Sequence, residues 1–194
     1  MRQMPNDHAK GCLRLAKGNW RRKADVVLRC LSMIKINLTK DDELQCASVA
    51  FRRTFESPDK VDQSFEKLNT FDDIARNSEA IGAEMAVAKL FGYKDWQPSV
   101  NTFKREADIG SKIEIKHTKW ESGHLIIKPS DRNEDIAVLV TGKSPAFLVI
   151  GWIPVAMAKK PRYKHDKSDS WWVSQINLQP IETLARSIYA NAKL

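Results

Sequence analysis

Asp108, Glu114 and Lys116 stand in the stretch Asp108-Ile-Gly-Ser-Lys-Ile-Glu114-Ile-Lys116, at intervals that suit a shared site. Hydrolysis of a phosphodiester asks little covalent chemistry of a protein. It needs oxygen ligands for a hard cation that polarises the phosphoryl oxygen and acidifies a water, and it gains from a positive group beside that water. Two carboxylates and a lysine at the tips of neighbouring strands supply these parts. Side chains alternate along a strand, so Glu114 and Lys116 share one face while Ile113 and Ile115 take the other, apolar one. Gly110-Ser111 can reverse the chain into a hairpin. Asp108 then opposes Glu114 only if the turn holds three residues, 110–112, whereas a two-residue turn would set Asp108 against Ile113 on the apolar side. The arrangement therefore requires a three-residue loop or a bulge.

A fourth acid comes from the preceding helix. The spacing predicts a helix over 79–91, with Ser78 as N-cap and Gly92 as terminator. Its interior, Ala80-Ile-Gly-Ala-Glu84-Met-Ala-Val-Ala88, is small and apolar nearly all round, which marks it as buried and closely packed. Glu84 is the one charge between residues 80 and 88, on the side of Ile81, Ala88 and Phe91. A carboxylate there must find a partner or a metal, because an unpaired buried charge is costly. Glu79, the rival helix acid, reads as a first-turn residue favoured by the helix dipole.

The elements around these residues change texture along the chain. Residues 1–32 are the least legible, with a short helix at 24–31. Ile34, Ile36 and Leu38 alternate with polar residues, and Thr39-Lys-Asp-Asp42 gives a start resembling a capping box. Leu44, Ala47, Ala50, Phe51 and Phe55 then fall at helical spacing over 43–55. Ser57-Pro58 breaks this pattern, and 59–77 is polar with a short helix. Strands are expected at 106–109, 112–118, 124–128, 136–141, 146–153 and 171–174, and a last helix at 181–192 after Pro180. Helices, then strands, then a helix define a mixed α/β domain. Residues 33–194 form that single domain, helical over 39–92 and sheet over 105–175, with 1–32 as an N-terminal arm. Met33 would serve as an alternative start, and a chain beginning there is expected to fold and work.

The net charge of +8 is localised. Residues 1–40 hold ten Lys/Arg against two Asp/Glu, and the remainder holds 22 of each, so the excess belongs to the arm. A solvated basic tail and a nucleic-acid-binding arm are both consistent with this. The three cysteines form no CxxC pair and suit free thiols in a reducing cytosol, and the scattered histidines argue against zinc. No run of about 18 apolar residues occurs, so no membrane span is expected. Lys159, Lys160, Arg162 and Lys164 precede Trp171-Trp172 in a loop that could contact a phosphate backbone and stack a base. The plainer reading is a solvated loop with one of the two tryptophans, and Trp152, in the core. His117 and His124 read as packed or surface histidines.

The Asp-x₅-Glu-x-Lys pattern behind a buried helix with an acid resembles the PD-(D/E)xK, or restriction-endonuclease-like, nuclease superfamily. It is similar in particular to uncharacterised phage and prophage members. The likeness runs from Leu38 to about Leu178, through Gly82-Ala-Glu84-Met-Ala-Val-Ala-Lys89, Val100-Asn-Thr-Phe103, Asp108-Ile-Gly110, Leu125-Ile-Ile-Lys-Pro129, Val138-Leu-Val-Thr-Gly142 and Gly151-Trp-Ile153. Ala107 stands where many members have proline.

The resemblance implies a central mixed or antiparallel sheet flanked by helices, Mg²⁺ or Mn²⁺ as cofactor, and DNA as substrate in a bacterial or phage-infected cytoplasm. It implies Asp108, Glu114, Glu84 and the Ile115 carbonyl as metal ligands, and Lys116 as the residue that positions or activates water. Asn101 and Thr118 match its pattern without an assigned role. A homodimer is compatible with it, since a palindromic cut would need one. The alternatives are a catalytically silent nucleic-acid-binding protein on the same fold, or a phage-associated structural protein in which Asp108 and Lys116 form a surface salt bridge.

Overall fold

Strand β1 (Ile34–Asn37) leads directly into helix α1 (Lys40–Glu56) and then the 21-residue helix α2 (Thr70–Leu90). The computed structural model describes residues 33–56, 68–100 and 106–186. The 1–32 arm, most of the polar segment between the helices, Asn101 and the end of the expected C-terminal helix lie outside them. Thr39 starts α1 as a reciprocal cap: its hydroxyl accepts from Asp42 N–H (3.2 Å) and its own N–H donates to the Asp42 carboxylate (2.7 Å).

α2 begins well before residue 79. Asn69 is the N-cap, accepting from Asp72 N–H at 3.0 Å. Ser78 instead lies inside the helix, where its hydroxyl bonds back to the Ile74 carbonyl. Gly92, at φ 75°, closes α2 with bonds from Gly92 N–H to Lys89 O and Tyr93 N–H to Ala88 O, the Schellman pattern. Residues 81 to 88 are all buried, as their small apolar character requires. Gly82 has a specific reason to be glycine: an added Cβ would lie 2.8 Å from Cζ of Phe147, itself fully buried in the sheet below.

The remaining chain gives β2 (Ile113–Thr118), β3 (Leu125–Ile127), β4 (Ile136–Lys143), β5 (Ala146–Pro154), the one-turn helix α3 (Val155–Ala158) and β6 (Trp171–Val173). Four strands form one mixed sheet in the order β1-β5-β4-β2, with β2 parallel to β4 and the other pairs antiparallel. β3 and β6 form a separate antiparallel pair. The sheet is therefore not confined to 105–175, because β1 forms its far edge. β4 is buried on both faces: Ile136, Val138 and Val140 pack in the α2-side core, Ala137 and Leu139 in a second core under β3 and β6. Among the described residues no helix is long and apolar enough to cross a membrane.

Three further expectations need correction. Residues 106–109 are not a strand; only Ile109 bridges, to Ile113. The described part of the last helix, Ile181–Arg186, is 3-10, which brings the buried Ile181 and Leu184 into line three residues apart. Finally, the buried face of α1 is Cys46, Ala50 and Arg53, while Leu44, Phe51 and Phe55 are 68%, 55% and 59% exposed. The close α1–α2 contact admits only small side chains and one arginine that reaches a buried partner.

Candidate active site

β2 is an edge strand, and its two kinds of position face different neighbours. Lys112 O accepts from Ile136 N–H at 2.8 Å, so even-numbered backbone groups bond toward β4. Ile113 exchanges both its backbone bonds with Ile109, at 3.0 and 3.2 Å, on the opposite, outer edge. Ile115 presents its N–H and C=O to that same edge by the two-residue period. There Asp108 Oδ2 accepts from Ile115 N–H at 2.7 Å. The turn between Ile109 and Ile113 holds three residues with Gly110 at φ 59°, the register that sets Asp108 opposite Glu114. A side chain thus replaces the backbone partner after one bridge, which is why the strand expected at 106–109 ends there.

Ile113 and Ile115 are buried in the α2-side core, which leaves Glu114 and Lys116 on the other face, as alternation predicts. Lys116 Nζ donates to Glu114 Oε1 and to Asp131 Oδ1, both at 3.0 Å. Burial works against this ammonium, yet the two carboxylates outweigh it and hold its pKa above the ordinary lysine value.

Glu84 is buried, as expected, and its partner is Arg53, whose Nη1 and Nη2 bond its two oxygens at 3.1 Å each. Arg53 Nε also donates to the Ser99 carbonyl at 2.6 Å. Burial raises the Glu84 pKa, Arg53 opposes the rise, and Glu114 adds to it. Asp108 is raised well above the carboxylate range, first by burial and then by Glu84 and Glu114, against the pull of Ile115 N–H and Lys116. The carboxylates of Glu84, Asp108 and Glu114 therefore feel one another across the edge of β2, although no hydrogen bond joins them.

The donor set is oxygen-only, which suits a hard cation. Asp108 Oδ1 and Glu114 Oε2 have no hydrogen-bond partner among the described residues. Both Glu84 oxygens are engaged by Arg53. Among the described residues, no group of three or more His, Cys, Asp or Glu side chains is disposed to hold a metal ion as they now stand.

The basic loop follows the plainer reading of its sequence, with one of the two following tryptophans packed inward and the other exposed. Lys159 and Lys164 approach the Trp171 ring at 5.8 and 4.2 Å, and Arg162 approaches Tyr163 at 4.5 Å. Lys160, Arg162 and Lys164 are exposed. Lys159 turns inward, donating to the carbonyls of Pro129 and Asp131. Trp171 packs against the second core, while Trp172 is exposed, with His165 stacked on it at 4.3 Å. Trp152 is core, its indole N–H bonded to Pro180 O and Thr183 Oγ1. His117 packs edge-on to Phe147 and bonds the Gly142 carbonyl, a packed histidine as expected. Glu79, inside α2, accepts from Ser144 N–H and so ties the helix to the β4–β5 turn, not to its own dipole.

Arg53 and Asp131 are the residues that sequence reasoning misses. Its helical spacing from Cys46 and Ala50 within the Arg52-Arg53 pair was the available signal for the first. Asp131 offered only its place in a Pro-Ser-Asp turn. Comparison with protein-family models, curated proteins and solved structures returned no match.

Proposed function

We propose that the chain is a metal-dependent nuclease of the restriction-endonuclease-like class, hydrolysing the phosphodiester backbone of DNA in the cytoplasm of a bacterial or phage-infected cell. The observation that carries this reading is Asp108, bound to the outer edge of β2 at Ile115, with Glu114 and Lys116 on the same strand. The unfavourable effect of Glu84 and Glu114 on the Asp108 carboxylate supports it, since a divalent cation relieves repulsion among neighbouring carboxylates.

Asp108, Glu114 and the Ile115 carbonyl would hold Mg²⁺ or Mn²⁺. When bound, such an ion polarises a phosphoryl oxygen and acidifies a water. Lys116 keeps a fixed positive charge beside that place, where charge develops during in-line displacement. Glu84 stands behind, its charge matched by Arg53, as a ligand once that pair opens or as a support for the site's field. The exposed cations of the 160–164 loop would meet the phosphate backbone. DNA over RNA, and the restriction-endonuclease-like core itself, rest on the resemblance in motif and element order.

The engagement of both Glu84 oxygens favours one second reading, a silent nucleic-acid-binding protein on the same fold. Plasmid incubation with Mg²⁺ or EDTA decides between them, using wild type, Asp108→Ala and Lys116→Ala. Metal-dependent cleavage lost in both variants supports the nuclease. Binding without cleavage supports the silent protein.

A further inference from the structure

The turn after β3 carries a carboxylate that lies outside the Asp-x₅-Glu-x-Lys pattern. Asp131 N–H donates to Lys128 O at 3.1 Å, and Lys128 N–H donates to Asp131 Oδ2 at 2.8 Å, so the turn closes on its own acid. The other oxygen, Oδ1, takes Lys116 Nζ at 3.0 Å. Among the described residues each oxygen has one partner, and the side chain is only 10% exposed.

The turn is pinned from another direction by Lys159, whose Nζ donates to Pro129 O at 3.1 Å and Asp131 O at 2.5 Å. The face of Trp171 lies 5.8 Å from the same Nζ. Both ends of this chain of contacts are therefore fixed.

A lysine ammonium is a point charge on a flexible four-carbon stem. Glu114, two positions along the same strand, leaves that stem free to swing about its own strand. A second carboxylate from a separate segment removes the swing and leaves one of the three N–H donors for a substrate or water.

We propose that Asp131 is a positioning residue for Lys116 and that Lys159 sets the place of Asp131, so that the loop after α3 is mechanically joined to the candidate centre. The positioning role rests on the nuclease reading; the restraint on Lys116 does not.

The test uses the full chain, free of metal and nucleic acid, acylated with acetic anhydride and analysed by peptide mass spectrometry. Asp131→Ala is expected to raise the rate of Lys116 acylation about ten-fold, the scale of one hydrogen bond between charged groups. Asp131→Asn, which keeps an acceptor, should restore part of the protection, and Lys159→Met should raise the rate by a smaller factor. An unchanged Lys116 rate in folded Asp131→Ala overturns the proposal. Should that variant not fold, an unchanged rate in both Lys159→Met and Asp131→Asn does the same. In the cleavage assay Asp131→Ala should lower kcat with KM unaltered, and Asp131→Asn should recover part of it. A wild type that does not cut sinks the nuclease reading, while the acylation rates still decide the role of Asp131.

Discussion

Arg53 and Glu84 meet fork to fork between α1 and α2, with both carboxylate oxygens 3.1 Å from guanidinium nitrogens and both side chains 9% exposed. Removing one partner leaves the other buried and uncompensated. Arg53→Met is therefore expected to lower the unfolding free energy by about 3–5 kcal/mol in urea denaturation, and Arg53→Met with Glu84→Leu to recover most of it. A loss below about 1 kcal/mol for the single variant would mean that the pair behaves as a surface contact.

Asp108 gives a pH dependence of definite sign. Its folded pKa is raised, so the folded chain holds this proton more tightly than the unfolded one. The stability linked to it is full below the ordinary carboxylate value and is lost as pH rises through the folded value. Asp108→Asn fixes the neutral form. In metal-free buffer its melting temperature should match wild type in acid and exceed it increasingly toward neutral pH. Parallel curves would contradict the shared carboxylate environment.

Divalent cations should reverse that penalty. Mg²⁺ at a hundred times its dissociation constant is expected to stabilise wild type by about 2.7 kcal/mol in thermal unfolding, with EDTA removing the gain. Asp108→Asn and Glu114→Gln should lose the response, whereas Lys116→Met should keep it. Loss in Lys116→Met as well would place the lysine among the groups that hold the ion.

Cys46 lies fully inside α1 with its thiol pKa pushed up to about 12 by burial, with the charges of Asp42 and Glu84 adding to the rise. At about pH 8.5, where an ordinary cysteine is half thiolate, it should resist iodoacetamide in the folded protein. Peptide mass spectrometry with increasing urea should show labelling only as the helix pair opens. Rapid labelling without urea would place α1 among the loosely held elements.

The strand carrying Glu114 and Lys116 was legible because two-residue alternation is a local property, and the need for a three-residue turn followed from it. The strand before it was not, because the side chain of Asp108, not backbone, takes the next N–H of the ladder. Ser78 resembled a cap because the same hydroxyl that caps a helix start can bond back to Ile74 within one. Helical spacing in α1 identified a helix but the wrong face, since its bulky residues point out and a charged arginine points in. Asp131 depends on a contact between two segments fifteen residues apart, which no local pattern encodes.

Gly82 stands two residues before Glu84, with Phe147 directly beneath it. One methyl group at that position would have to lift the helix or displace the ring, and the acid would rise with the helix. Position 82 thus acts as a height adjustment for a charge it does not carry. A variant library restricted to ionisable residues would overlook it, and a loss of activity from Gly82→Ala would be misread as simple misfolding unless the Arg53–Glu84 pair were monitored alongside.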